Sequence, residues 1–141
     1  MIFNTTYTNK DFTAACNETV GQAFSLLKII KMGGVGSSRF IVAAFSTKLQ
    51  PKNKEQLALN YANIELRPKG IIVHFTNKQD RYSWVIPYYR LVTYNSQTFS
   101  IHAKGSYIKF KKNKNYLANK KFIDKMIDLK NAFLNLSYYD A

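Results

Sequence analysis

Eight lysines fall between residues 104 and 125, with Asp124 the sole acid among them. Lys109 and Lys111 alternate with Ile108 and Phe110, so on an extended strand the two lysines share a face, and Tyr107 shares it with them. Ammonium groups neutralise phosphates and carboxylates, and an interleaved tyrosine offers a ring for stacking. That is the chemistry of contact with a nucleic acid or another anionic surface. The bland alternative is a solvated edge strand, because lysine also keeps sheet edges from pairing with one another. The candidate contact set is Lys104, Tyr107, Lys109, Lys111, Lys112, Lys114 and Lys121, with a secondary basic turn at Arg67 and Lys69.

Residue types that carry catalysis are sparse and scattered. His74 and His102 fall on the polar phase of their strands and are expected as neighbours across a sheet at most, which is too few groups for a metal site. Cys16 is placed just before an expected helix, where the dipole would favour a thiolate, but no base is oriented toward it by local sequence. Asp124 and Asp128 sit one helical turn apart and are flanked by Lys121 and Lys125, which suits solvated ion pairing. Gly33-Gly34-Val35-Gly36-Ser37-Ser38 lacks the Gly-Lys-Ser/Thr ending of a phosphate loop and follows a helix. The reading is a non-catalytic protein with no cofactor and no metal.

The chain that must position these residues has 141 residues, 46% hydrophobic and 15% aromatic, enough for one packed domain. Its net charge of +13 points to a polyanionic partner and away from an enzyme built on clustered carboxylates. Seven basic and three acidic residues precede residue 61, and fourteen and five follow, so the excess belongs mostly to the second half. The single cysteine forms no intrachain disulfide, and residues 1–11 lack the basic and apolar runs of a signal peptide. The most apolar short stretches, Phe24–Ile30 and Phe40–Phe45, fall far short of the ~20 residues that span a bilayer. The expected location is the cytoplasm, with peripheral membrane attachment left open.

Residues 1–60 are expected to be mainly helical after an irregular start. Asn17 is the candidate cap of a helix over 17–32, with Val20, Phe24, Leu27 and Ile30 as its buried stripe and Gly33-Gly34 as its stop. Residues 37–49 fit either a helix or a buried strand, with the serines and alanines favouring helix. Lys52–Tyr61 suits a short helix or a loop entering a strand. Over 61–113 the period becomes two. Ile64 and Leu66 pair in pattern with Ile71, Val73 and Phe75 around the turn Arg67-Pro68-Lys69-Gly70. Tyr82, Trp84 and Ile86 continue to Pro87, Tyr88–Tyr94 resumes extended, and Phe99, Ile101, Ile108 and Phe110 form a second apolar hairpin. A helix over 116–137, capped by Asn119, carries Phe122, Met126, Leu129, Phe133 and Leu136 on one face. The fold class is α+β: a curved antiparallel sheet, partial or full barrel, capped by a C-terminal amphipathic helix. The aromatic group Tyr82, Trp84, Tyr88, Tyr89 and Tyr94 packs under the N-terminal helices or forms an interaction or homodimer surface, the former being favoured.

This order of elements resembles the pleckstrin-homology-like (PH-like) superfold, including bacterial PH-like and GRAM-like domains. The resemblance rests on the Asn63–Phe75 hairpin, Tyr82-Ser-Trp-Val-Ile-Pro87, the Thr98–Phe110 hairpin and the helix from Asn119. It covers about residues 61–137, and a seven-stranded barrel requires a further strand from residues 37–49. It implies a binding module that contacts a protein or an anionic surface, with nucleic acid as the alternative partner. Phosphoinositide-binding members carry spaced basic residues around their first strand–strand loop. The turn at Arg67 and Lys69 lacks that triplet, which weighs against lipid head-group recognition.

Overall fold

The computed structural model describes residues 2–7, 9–46, 49, 60–77 and 80–140. Strand β1 is Ile2–Asn4, helix α1 Lys10–Thr19, helix α2 Leu26–Met32 and strand β2 Phe40–Phe45. Strands β3 (Tyr61–Arg67), β4 (Gly70–Asn77), β5 (Asp80–Pro87), β6 (Val92–Asn95), β7 (Thr98–Ala103) and β8 (Ser106–Lys111) follow, then helices α3 (Lys114–Ala118) and α4 (Lys120–Asp140). The strands form one antiparallel sheet ordered β1-β5-β4-β3-β2-β8-β7-β6. Its two ends, β1 and β6, do not pair with each other, so the sheet is not closed. The α+β class with an antiparallel sheet and C-terminal helices therefore stands.

The period-two pattern of residues 61–113 gives the strands it predicts. Ile64 pairs with Val73, Leu66 with Ile71, Phe99 with Phe110 and Ile101 with Ile108, and all eight side chains are buried on one face. Trp84 and Ile86 join that core from β5. Helix α4 covers it with Phe122, Ile123 and Met126, while Phe133 packs 5.8 Å from the Tyr88 ring. Covering this face removes its apolar surface from water, the main source of stability here.

The described residues within 37–49 depart from the favoured helix. Phe40–Phe45 is strand β2, joining β3 to β8 through Phe40–Ala62 and Phe45–Ile108, with a register shift between Val42 and Ala44. Phe40, Val42 and Phe45 are buried, so long-range pairing overrides the local preference of serine and alanine. Lys52–Leu59 lies outside the described residues, as do Lys78 and Gln79.

The N-terminal helix expected over 17–32 is two helices, displaced. Asn9 caps α1 by accepting from the Phe12 amide, and Gly21, at φ 89°, follows its end. Ser25 caps α2, and Gly33 ends it in the left-handed conformation. The expected irregular start contains β1, which pairs with β5 through Ile2–Trp84. Helix α1 lies on the outer face of the sheet, where Cys16 and Val20 bury Ile72 and Val85.

The C-terminal helix α4 begins at Lys120, directly after Asn119, and a separate short helix, α3, precedes it. Asn113 caps α3 by accepting from the Asn115 and Tyr116 amides. Asn119 ends α3 and is buried. Its side-chain oxygen accepts from the Ser38 amide (2.9 Å), and its amide nitrogen donates to the Ser38 and Asn115 carbonyls (3.2 and 3.0 Å).

Trp84 and Tyr88 are buried in the main core, which Phe24 and Met32 of the N-terminal part also meet, with the Tyr88 ring against Phe133 of α4, and half-buried Tyr82 stacks on Phe75. Tyr88–Arg90 is a 3-10 turn, so extended structure resumes only at Val92.

Gly70 marks a close backbone approach in the sheet. A Cβ there would lie 2.3 Å from the Ile86 carbonyl oxygen and 2.5 Å from a Val20 methyl. Gly70→Ala is expected to destabilise the fold by about 1–3 kcal/mol through overpacking. Urea unfolding of the variant beside the native chain measures this, and an unchanged midpoint would contradict the packing described.

Candidate functional site

The strand pairing decides which lysines lie together. His102 faces Tyr107 across β7 and β8, Ser100 faces Lys109, and Thr98 faces Lys111. Across β6, Val92 faces His102 and Tyr94 faces Ser100. These are the outward positions, because Phe99, Ile101, Ile108 and Phe110 point into the core. Tyr94, His102, Tyr107, Lys109 and Lys111 therefore form one basic and aromatic face on β6–β8.

Its centre is ordered by ring contacts. The His102 ring lies 4.8 Å from Tyr94, edge-on, and 5.4 Å from Tyr107. His102 Nε2 is 2.9 Å from Ser100 Oγ. Lys109 Nζ stands 5.4 Å over the Tyr107 ring, a cation–π distance. Burial, and secondarily the Lys109 charge, push the His102 pKa below the ordinary histidine value, so the neutral ring is favoured. A shallow depression of about 330 Å³ opens here, with Tyr94, Thr98, Ser100, His102 and Lys109 among its walls.

The remaining candidates are dispersed. Lys112 is exposed just beyond β8, with its Nζ 5.5 Å over the Tyr116 ring, and Lys114 is exposed in the first turn of α3. Lys121 is exposed on α4. Lys104 occupies the β7–β8 turn at φ 48°, about 20 Å along the hairpin from Lys111 at strand rise. There it joins Tyr89 and Arg90 around a separate cavity of about 150 Å³. The run of eight lysines is thus spread over a turn, a strand face, the β8–α3 link and two helices. Only Tyr107, Lys109 and Lys111 share the strand face.

In the secondary basic turn, Lys69 is exposed, but the Arg67 guanidinium is already engaged. Its Nε donates to Glu65 Oε2 at 2.6 Å and its Nη1 to the Gly21 carbonyl at 3.1 Å. Glu65 Oε1 lies 3.2 Å from His74 Nε2, His74 Nδ1 lies 2.7 Å from Ser83 Oγ, and Ser83 Oγ lies 2.8 Å from Thr5 Oγ1. Ser83, His74 and Glu65 have the residue types of a hydrolytic triad, a grouping that sequence reading missed because the three lie on separate strands. Ser83 is fully buried and its hydroxyl is shared between His74 and Thr5, leaving no approach for a substrate. The chain of contacts braces β1, β5, β4 and β3 on the outer face.

His74 and His102 are not neighbours, since β3, β2 and β8 separate their strands. Cys16 is in the last turns of α1, at the opposite end from the one that would favour a thiolate. Burial raises its thiol pKa, with the Arg67 charge opposing. Lys125 donates to the Gly34 carbonyl at 3.1 Å, and no ion pair to Asp124 or Asp128 forms among the described residues. Among those residues no group of three metal-ligating side chains assembles, and no helix is long and apolar enough to cross a membrane.

Sequence reading also missed the surface of α2. Leu27 and Ile30, expected in a buried stripe, are exposed together with Leu26. The signal that could have found this is the early stop at Gly21, which separates α2 from the helix that packs on the sheet. Comparison with protein-family models, curated proteins and solved structures finds no match to this chain.

Burial alone would raise the Glu65 pKa, but hydrogen bonds from His74 and Arg67 outweigh it and hold the carboxyl below its ordinary value. Its contribution to stability is therefore complete above the unfolded-state pKa and lost as pH falls through the lower folded value. Glu65→Gln should cost about 1 kcal/mol at neutral pH. It should also flatten the loss of stability between about pH 5 and pH 3. Denaturant titrations across that range check both, and an acid limb as steep as the native one would refute the assignment.

Proposed function

We propose that this protein is a non-catalytic PH-like binding module that meets an anionic partner through the outer face of β6–β8. The observation that carries the reading is the pairing of His102 with Tyr107 and Ser100 with Lys109, which places rings and ammonium groups side by side. Such a face offers charge to a polyanion and flat surface to its apolar parts. The PH-like part of the reading is supported by strand number and order. Among the described residues seven antiparallel strands run from Phe40 to Lys111 and two helices follow, and β2 lies where the resemblance calls for a further strand. Strand β1 and helices α1 and α2 are additions to that plan.

A nucleic-acid strand is the second reading of the same face. It is favoured by the ring row Tyr94–His102–Tyr107, bordered by Lys109, because bases stack on such rings while lysines follow the phosphates.

Reversing Lys109, Lys111 and Lys112 to glutamate should weaken binding to any anionic partner roughly tenfold or more. The fold should remain intact, because Lys111 and Lys112 are exposed and Lys109 is outside the core. Gel shifts with a single-stranded oligonucleotide and capture by an acidic polypeptide, each at two salt concentrations, separate the two readings. Binding that survives the charge reversal would place the contact elsewhere.

A further inference from the structure

Helix α2 exposes apolar side chains to an unusual degree. Leu26, Leu27 and Ile30 are 73%, 74% and 67% exposed, and no residue of the helix is fully buried. At about 100° per residue, Leu26, Ile30 and Leu27 occupy one continuous arc of the helix. Lys31 and Lys28 occupy the adjoining arc. Half-buried Ile29 and Met32 turn the opposite way, and Met32 packs against the core with neighbouring Phe24 and Val35.

The helix is held, so this ridge has a fixed orientation. Ser25 Oγ accepts from the Lys28 amide at one end. At the other, the Gly33 amide closes onto the Ile29 and Ile30 carbonyls, and Lys125 of α4 donates to Gly34. An apolar ridge bordered by lysines, on a chain of net charge +13, is complementary to a surface that is apolar inside and negative outside. A second copy of the chain fits less well. Lys28 and Lys31 would be brought toward their own counterparts, and the total charge opposes self-association.

We infer that α2 is a membrane-docking element, which lays Leu26, Leu27 and Ile30 into the interfacial region of an anionic bilayer while Lys28 and Lys31 contact the lipid head groups. This surface lies outside the β6–β8 face, and the inference does not depend on that face having a ligand.

The test is cosedimentation of the full chain with phosphatidylcholine–phosphatidylglycerol vesicles and with pure phosphatidylcholine vesicles. The native protein should partition to the anionic vesicles and release at high salt. Replacing Leu26, Leu27 and Ile30 together by serine should weaken partitioning about tenfold or more. Lys28→Gln with Lys31→Gln should do the same. All five side chains are exposed, and circular dichroism verifies that each variant folds. In a Leu27→Trp variant, emission should shift to the blue on anionic vesicles, which reports insertion rather than charge attraction alone. Three results overturn the inference: a native protein that stays in the supernatant, a serine variant that binds as well as the native chain, or an emission unchanged by vesicles. A native dimer that the serine substitutions dissolve, without vesicle binding, overturns it in favour of self-association. The Lys109, Lys111 and Lys112 charge-reversal variant distinguishes the two surfaces. If it alone abolishes vesicle binding, the α2 inference fails and the β6–β8 reading stands.

Discussion

Gly70 is where the parts of this protein are joined. The β3–β4 turn, the end of β5 and the end of α1 approach so closely there that no side chain fits. Backbone groups complete the junction. The Lys69 amide donates to the Val20 carbonyl at 2.8 Å, the Tyr88 amide donates to the Lys69 carbonyl at 2.9 Å, and the Tyr88 hydroxyl donates to the Arg67 carbonyl at 3.0 Å. Tyr88 in turn meets Phe133 of α4. One turn therefore fixes the helix on the outer face and the helix over the main core relative to the same strands. The buried Tyr88 phenol has its pKa raised by burial, which keeps the donating hydroxyl protonated across ordinary pH.

Two-sided coverage of β4 and β5 has a consequence for function. Ile71, Val73, Trp84 and Ile86 serve the core under α4, while Ile72 and Val85 are covered by α1. The polar remainder of that outer face, Glu65, His74 and Ser83, is satisfied internally and braces the strands. On the outward face of β6–β8, Ser100 is buried among its neighbours, while His102, Tyr107 and Lys109 stay half-buried and Tyr94 and Lys111 exposed. The same logic isolates α2. It is tethered through Phe24, Met32 and Val35, yet leaves its leucines outside. The fold thus has a covered outer face, an open basic face and a short exposed helix.

Much of this was legible because period-two alternation responds to a single buried face. Residues 61–113 could be read as hairpins, and Phe122, Met126 and Phe133 as a lid, since each pattern has one interpretation at its length. Phe40–Phe45 resisted because a six-residue apolar run fits a helix as well as a strand. Its state is set by Ala62 and Ile108, distant in sequence. Asn119 resembles a helix cap by type and position, yet its amide is committed to the Ser38 backbone in the approach to β2. Residue type announced a polar contact there, and only the fold supplied the partner.

The composition by itself determined a strongly basic chain, a sheet with an apolar face and a C-terminal helix to cover it, because charge and periodicity are local properties. Which lysines stand together was decided by tertiary structure. Strand register puts Tyr107, Lys109 and Lys111 beside His102 and Tyr94, whereas the turn, α3 and α4 carry Lys104, Lys114 and Lys121 away. Whether Leu26, Leu27 and Ile30 are core or surface was likewise beyond local pattern. An amphipathic stripe says only that a helix has an apolar side, and the breaks at Gly21 and Gly33 turn that side away from the sheet.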